Sequence, residues 1–153
     1  MRTVTEDDRD FIARVDAGTR EEEFAGPGWS PRRLAEFLKM QAVFQRRAWE
    51  LRFPGALQFI IEDDFEKVGR MITAEYDDRL VLIDIAILPA HRGRGIGSLL
   101  IGDLIERAVE TRKKVALQVS KNNLRAVGLY RKLGFAVERE TESDYSMTYS
   151  AER

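Results

Sequence analysis

Cysteine is absent from this chain of 153 residues. Its lack excludes disulfides, thiolate metal sites and a cysteine nucleophile. Histidine occurs once, at His91, so a cluster of histidines around a metal is excluded too, and no metal is expected. No apolar run approaches the roughly 18 residues of a membrane span. The charged start Met1-Arg2-Thr3-Val4-Thr5-Glu6 carries no signal-peptide core, so a cytoplasmic location without a membrane partner is expected. An excess of one charge is missing as well: 25 Lys and Arg face 26 Asp and Glu, for a net charge of −1. General attraction to nucleic acid or anionic membrane is therefore not expected, and any anion site has to be built locally.

What is present is the balance of a soluble globular protein, with 44% hydrophobic and 33% charged residues. The length predicts one domain over residues 1–153, burying about two-thirds of its unfolded surface. Thr5-Glu6-Asp7-Asp8 has the spacing of a capping box, with Phe11, Ile12 and Val15 following at helical intervals. Gly18 is expected to end that helix, and Glu21 to Gly28 reads as an exposed connection. Ser30-Pro31 fits a helix start, after which Leu34, Phe37, Leu38, Gln41, Gln45 and Ala48 trace one face to about Trp49, and Pro54-Gly55 breaks the helix. Strands are predicted over Leu57–Glu62, Val68–Ala74, Leu80–Leu88 and Val115–Val119, with closing strands over Phe135–Glu140 and Asp144–Ser150. Between the third and fourth of these, Leu99, Leu100, Leu104, Ile105, Ala108 and Val109 form a helical stripe. A strand–helix–strand unit of this length implies a parallel crossover.

The turn at the start of that crossover is the most informative stretch: Leu88-Pro89-Ala90-His91-Arg92-Gly93-Arg94-Gly95-Ile96-Gly97-Ser98. An isolated Gly-x-Gly is most simply a tight turn. Here Arg92 and Arg94 add positive charge, a helix starts at once, and the preceding strand ends in a proline that cannot continue a ladder. Free backbone N–H groups at a positive helix N-terminus form a site for phosphate. A Walker loop would need Gly-Lys-Ser/Thr, which Gly97-Ser98-Leu99 is not. A dinucleotide fingerprint would need an acid ending the next strand, where Ser120-Lys121-Asn122 stands instead.

Downstream, Asn123-Leu124-Arg125-Ala126-Val127-Gly128-Leu129-Tyr130-Arg131-Lys132-Leu133-Gly134-Phe135 reads as a capped helix with an apolar contact after its C-terminal glycine. Alone, Asn123 is a cap and Tyr130 a core residue. Together and in this order, Arg92-x-x-Gly95-x-Gly97 and Asn-x-x-Ala-x-x-Leu-Tyr-x-x-Leu-Gly-Phe resemble the two signatures of the GNAT N-acetyltransferase family. The resemblance covers roughly Leu57 to Tyr149. It implies an α+β fold: a central mixed, mostly antiparallel sheet flanked by helices on both faces, a three-layer α/β/α sandwich. It also implies an acetyl-CoA-dependent N-acetyltransferase acting on a primary amine.

Carried over by position, the resemblance assigns the pantetheine arm to the backbone of Ile85, Ala86 and Ile87, and the pyrophosphate to Arg92, Gly93, Arg94, Gly95, Ile96, Gly97 and Ser98. Asn123 and Tyr130 become cofactor contacts, with Tyr130 as general acid, and Arg125 lies one turn into its helix as a further phosphate contact or a solvated surface residue. An oxyanion would be met by a backbone N–H near Ile87 or Leu88. Without cysteine, direct transfer in a ternary complex is expected rather than an acyl-enzyme.

A lysine-like amine, with a pKa of about 10.4, must lose a proton before it attacks. Some protein N-terminal acetyltransferases of this family place a glutamate where Gln118 stands, and glutamine is no base. Asp84 and Glu75 are the remaining weak candidates, Asp84 being equally readable as a structural acceptor for an arginine or the backbone. Gln41 and Gln45 are weak candidates for acceptor contacts. His91 reads as a solvent-facing loop residue, and Trp29 and Trp49 as packing residues flanking the second helix. The rival class is a non-catalytic acyl-CoA-binding or regulatory domain; a protein or charged-tRNA acceptor is a third option. A monomer or a homodimer fits.

Overall fold

The computed structural model describes the backbone of residues 1–24 and 30–150. In chain order the elements are β1 (Arg2–Thr3), α1 (Arg9–Phe24), α2 (Pro31–Arg52), β2 (Leu57–Asp63), β3 (Glu66–Glu75), β4 (Arg79–Ile87), α3 (Ile96–Thr111), β5 (Lys114–Ser120), α4 (Leu124–Lys132), β6 (Ala136–Glu140) and β7 (Asp144–Tyr149). The strands form a mixed, mostly antiparallel sheet in the order β1-β2-β3-β4-β5-β7-β6. β4 and β5 are its parallel pair, as a crossover through α3 requires. Among the described residues no helix is long and apolar enough to cross a membrane.

Two compact units divide the chain: Met1–Ile72 with Asp84–Arg92, and Thr73–Ile83 with Gly93–Arg153. In the first, Phe11, Val15, Ile60 and Ala86 form a buried cluster, with Val4, Ile12 and Leu88 packed against it. In the second, Ile101 and Ala108 of α3 are buried, as are Val115 and Leu117 of β5 and Met147 of β7.

The expected capping box is present. The Thr5 N–H donates to Asp8 Oδ2 at 2.8 Å, and a short 3-10 turn over Glu6–Asp8 leads into α1. The same carboxylate does more. Fully buried, Asp8 accepts two bonds of 2.8 Å from the Arg2 guanidinium and an ion pair of 2.7 Å from Lys67. It thereby ties β1, α1 and β3 together. Hydrogen bonds from Arg2 and then Lys67 hold its pKa well below the usual carboxylate range.

A depressed carboxyl pKa contributes stability that is fully present above the unfolded value of about 3.9 and is lost as pH falls toward the folded one. Asp8→Asn is expected to cost about 2–3 kcal/mol at neutral pH. Urea melts between pH 7 and pH 3 should then show a smaller acid loss in the variant than in the wild-type protein.

Several expectations need correction. Gly18 does not end α1, which continues to Phe24; an interior glycine costs only about 1 kcal/mol, and the Arg20–Glu23 run that follows is made of good helix formers. The described part of the expected Glu21–Gly28 connection is therefore helical, while residues 25–28, like Trp29, lie outside the described residues. β1 had no sequence signal, because two residues are too few to alternate. Within α3 the predicted Leu100, Leu104, Ile105 and Ala108 are covered together with Ile101, whereas Leu99 and Val109 at the edges of the predicted stripe are exposed, so the covered stripe is narrower than predicted.

Candidate active site

β4 leaves the sheet through Leu88 and a 3-10 turn over Pro89–His91. The chain then turns on Gly93 and Gly95, at φ of +80° and +77°, before α3 begins at Ile96. A side chain in that left-handed region costs about 1–2 kcal/mol, so glycine suits both positions. Gly95 occupies the N-cap without a side chain to accept an amide, and its carbonyl takes the first helical bond, from Leu99 N at 3.0 Å. The amides of Ile96, Gly97 and Ser98 thus have no acceptor within the helix. No acidic residue occupies the first turn, so the positive end of the 16-residue helix stays uncompensated. Space is open where a Cβ would stand at Gly93, Gly95 or Gly97. Arg94 is exposed, whereas Arg92 also braces the end of β4, its Nε donating to the Ile87 carbonyl at 3.0 Å.

The parallel ladder joins Arg79–Leu82 to Lys114–Leu117, and β4 runs on to Ile87 beyond it. Ile85, Ala86 and Ile87, the predicted pantetheine strand, lie in that continuation.

At α4, Asn123 caps the helix as expected, its side-chain oxygen accepting the Ala126 N–H at 3.2 Å. The far end closes by a paired carbonyl cap: Phe135 N bonds Tyr130 O at 3.0 Å, Gly134 N bonds Arg131 O at 3.1 Å, and Gly134 takes φ +104°. The apolar contact that accompanies such a cap is Phe135 against Tyr130, ring centroids 5.7 Å apart. Tyr130 is therefore buried and fixed both through its ring and through its carbonyl. Arg125 is exposed in the first turn of the helix, as its second residue. Gln118 is exposed on β5 and donates to Asp144 at 3.1 Å.

The two candidate bases differ. Glu75 is gripped by Arg107 through bonds of 2.8 and 3.0 Å, with Lys113 at 3.9 Å, and the Arg107 hydrogen bond lowers its pKa. A carboxylate so stabilised is a weaker proton acceptor. Asp84 keeps 44% of its side chain exposed and takes one bond from Arg70 at 2.7 Å, while Arg70 also pairs with Asp16. The arginine-acceptor alternative for Asp84 is thus realised in the structure. The Arg70 and Asp16 partners carried no sequence signal, since they come from β3 and α1.

Two side chains sit differently from expectation. His91 is not solvent-facing: its side chain is only 18% exposed, with Nε2 3.8 Å from Glu66, because the 3-10 turn folds it back. On α2, Gln41 is half-buried, but Gln45 and Ala48 are exposed and do not point inward. The covered face drifts away from them after Gln41, leaving Phe44 and Leu51 exposed as well.

The sequence model of the GNAT acetyltransferase family matches residues 20–135. A peptidyl-lysine N-acetyltransferase of Salmonella typhimurium is 38% identical over 85 residues, 55% of this chain and 52% of that protein. A spermidine N(1)-acetyltransferase of Escherichia coli is 30% identical over 92 residues, 58% of this chain and 50% of that protein. The chain spans about half the length of these curated relatives. In fold it is similar to the PaiA N-acetyltransferase of Thermoplasma acidophilum, solved in complex with coenzyme A, with a TM-score of 0.72 at 17% identity over 97% of this chain and 96% of that one.

Proposed function

Since the chain belongs to the GNAT acetyltransferase family, we propose that it moves the acetyl group of acetyl-CoA to a primary amine, in a ternary complex and without an acyl-enzyme. The observation that carries this reading is the left-handed glycine turn into α3, whose three first-turn amides and uncompensated positive end suit a pyrophosphate. Gly93 to Ser98 supply the amides, with Arg92 and Arg94 adding charge. Asn123 and Arg125 are the further cofactor contacts, and Ile85 to Ile87 offer main-chain groups to the pantetheine arm.

The amine nitrogen attacks the thioester carbonyl, the C–S bond breaks, and the sulfur leaves as thiolate. Tyr130 donates its phenol proton to that sulfur as the thiolate departs. Both candidate carboxylates accept from arginines, Glu75 through two bonds from Arg107 and Asp84 through one from Arg70, so Asp84 is the less encumbered candidate for the amine's proton. The acceptors named for the two relatives, peptidyl lysine and spermidine, both present primary amines. A cytoplasmic setting fits a chain that draws on acetyl-CoA.

The test is thiol release from acetyl-CoA across a panel holding a lysine peptide and spermidine. Since the chain has no cysteine, the protein itself adds no thiol signal. Release that depends on the amine is expected, with the protein mass unchanged throughout. CoA binding without release under any amine would favour the regulatory reading instead.

A further inference from the structure

α2 lies wholly within the first compact unit, and it turns an apolar stripe away from that unit's core. Met40, Val43, Phe44 and Leu51 are all exposed, Phe44 by 60% and Leu51 by 82%. At about 100° per residue they share one face with the exposed Arg47, while the buried Leu38 and half-buried Leu34 and Gln41 lie on the other side. Single exposed apolar side chains are ordinary. A row of four along about three turns marks an interaction surface.

The charges beside this stripe identify what fits it. Glu36 and Arg47 stand on one flank, eleven residues apart, and both are exposed. Glu36 is held only by Arg32, 3.6 Å away, and Arg47 makes no ion pair among the described residues. Suppose a second α2 lies antiparallel on the first, with a two-fold axis between Gln41 and Ala42. Residues equally far from that axis then come level across it. Glu36 meets Arg47 of the second copy, and Arg47 meets its Glu36. Met40 meets Val43 and Phe44 of the second copy at the centre. Towards the ends, Arg32 comes beside Glu50 and Leu51 beside the aliphatic stem of Arg33, each level to within about 1.5 Å.

The face is therefore complementary to itself, which is what a closed two-fold interface requires. A parallel pair would instead set Glu36 against Glu36 and Arg47 against Arg47. A partner charged with one sign throughout would meet its own sign at one end of the stripe.

We propose that this face of α2 seats a second copy of the chain, the two helices packing antiparallel with Met40, Val43 and Phe44 central and a Glu36–Arg47 pair at each end. This pairing is independent of acetyl transfer and stands whether or not the protein turns over an amine.

The experiment is sedimentation equilibrium on the full chain and three variants at these exposed positions, with circular dichroism checking that helix content is kept. Wild-type protein is expected at the mass of two chains. Arg47→Glu puts a carboxylate opposite Glu36 of the second copy, and Glu36→Arg puts a guanidinium opposite its Arg47. Each change acts twice across the axis and should weaken the dimer about 10²-fold. The double variant Glu36→Arg/Arg47→Glu restores opposite signs and should recover the mass of two chains. Should one single variant fail to fold, the other carries the test. Wild-type protein that stays monomeric at high micromolar concentration overturns the proposal, since the stripe then serves a different partner. A dimer indifferent to the single changes, or not recovered in the double variant, also overturns it, because another surface then holds the two chains together.

Discussion

Tyr130→Phe is expected to lower kcat by about 10²-fold or more, the range for a lost general acid, while CoA binding stays within about twofold. The substitution keeps the ring contact with Phe135 and the backbone carbonyl that closes the helix end. Turnover should recover in part with acyl thioesters whose leaving thiol is more acidic, since such a thiolate departs without a proton. Steady-state kinetics on both thioesters, with calorimetry on CoA, measures this. Equal turnover by the two proteins on acetyl-CoA would remove Tyr130 from the chemistry and leave it as a core residue.

Gly97→Val should weaken CoA binding by about 10²-fold, the loss of one or two charge-assisted bonds to backbone amides. Gly97 lacks the positive φ of its neighbours and has open space around it, so a side chain there is tolerated by the fold but stands where the anion would approach. Gly95→Val should differ in kind: at φ +77° the new residue strains the turn by about 1–2 kcal/mol, lowering stability as well as binding. Calorimetric Kd and urea melts on the two variants separate access from conformation. Loss of binding at Gly95 alone would mean that the turn's shape matters and its open amides do not.

Features decided by neighbours in sequence were legible without coordinates. The capping box at Thr5–Asp8, the Asn123 cap and the Gly134 helix end each depend on a few adjacent residues, and all three appear where the sequence puts them. The glycine turn into α3 belongs with them, because the demand for positive φ and the helix start follow one another along the chain. Periodicity was less reliable. It identified α2 and α3 as helices, but a repeat does not say how far a neighbour covers it, and so Gln45, Ala48, Leu99 and Val109 lie outside the covered faces.

By itself, then, the sequence determined the kinds and order of the elements after β1, the glycine turn into α3 and the family, since these rest on local backbone preference and motif spacing. Tertiary structure alone decided the partners. It gave Asp8 to Arg2 and Lys67, Glu75 to Arg107, and Asp84 to Arg70. It also brought Gly69 against the Ala86 carbonyl. The physical reason is common to all of these. A carboxylate's strength as a base and an amide's direction depend on atoms that reach it from other strands and helices, and no local pattern in the chain encodes that distance.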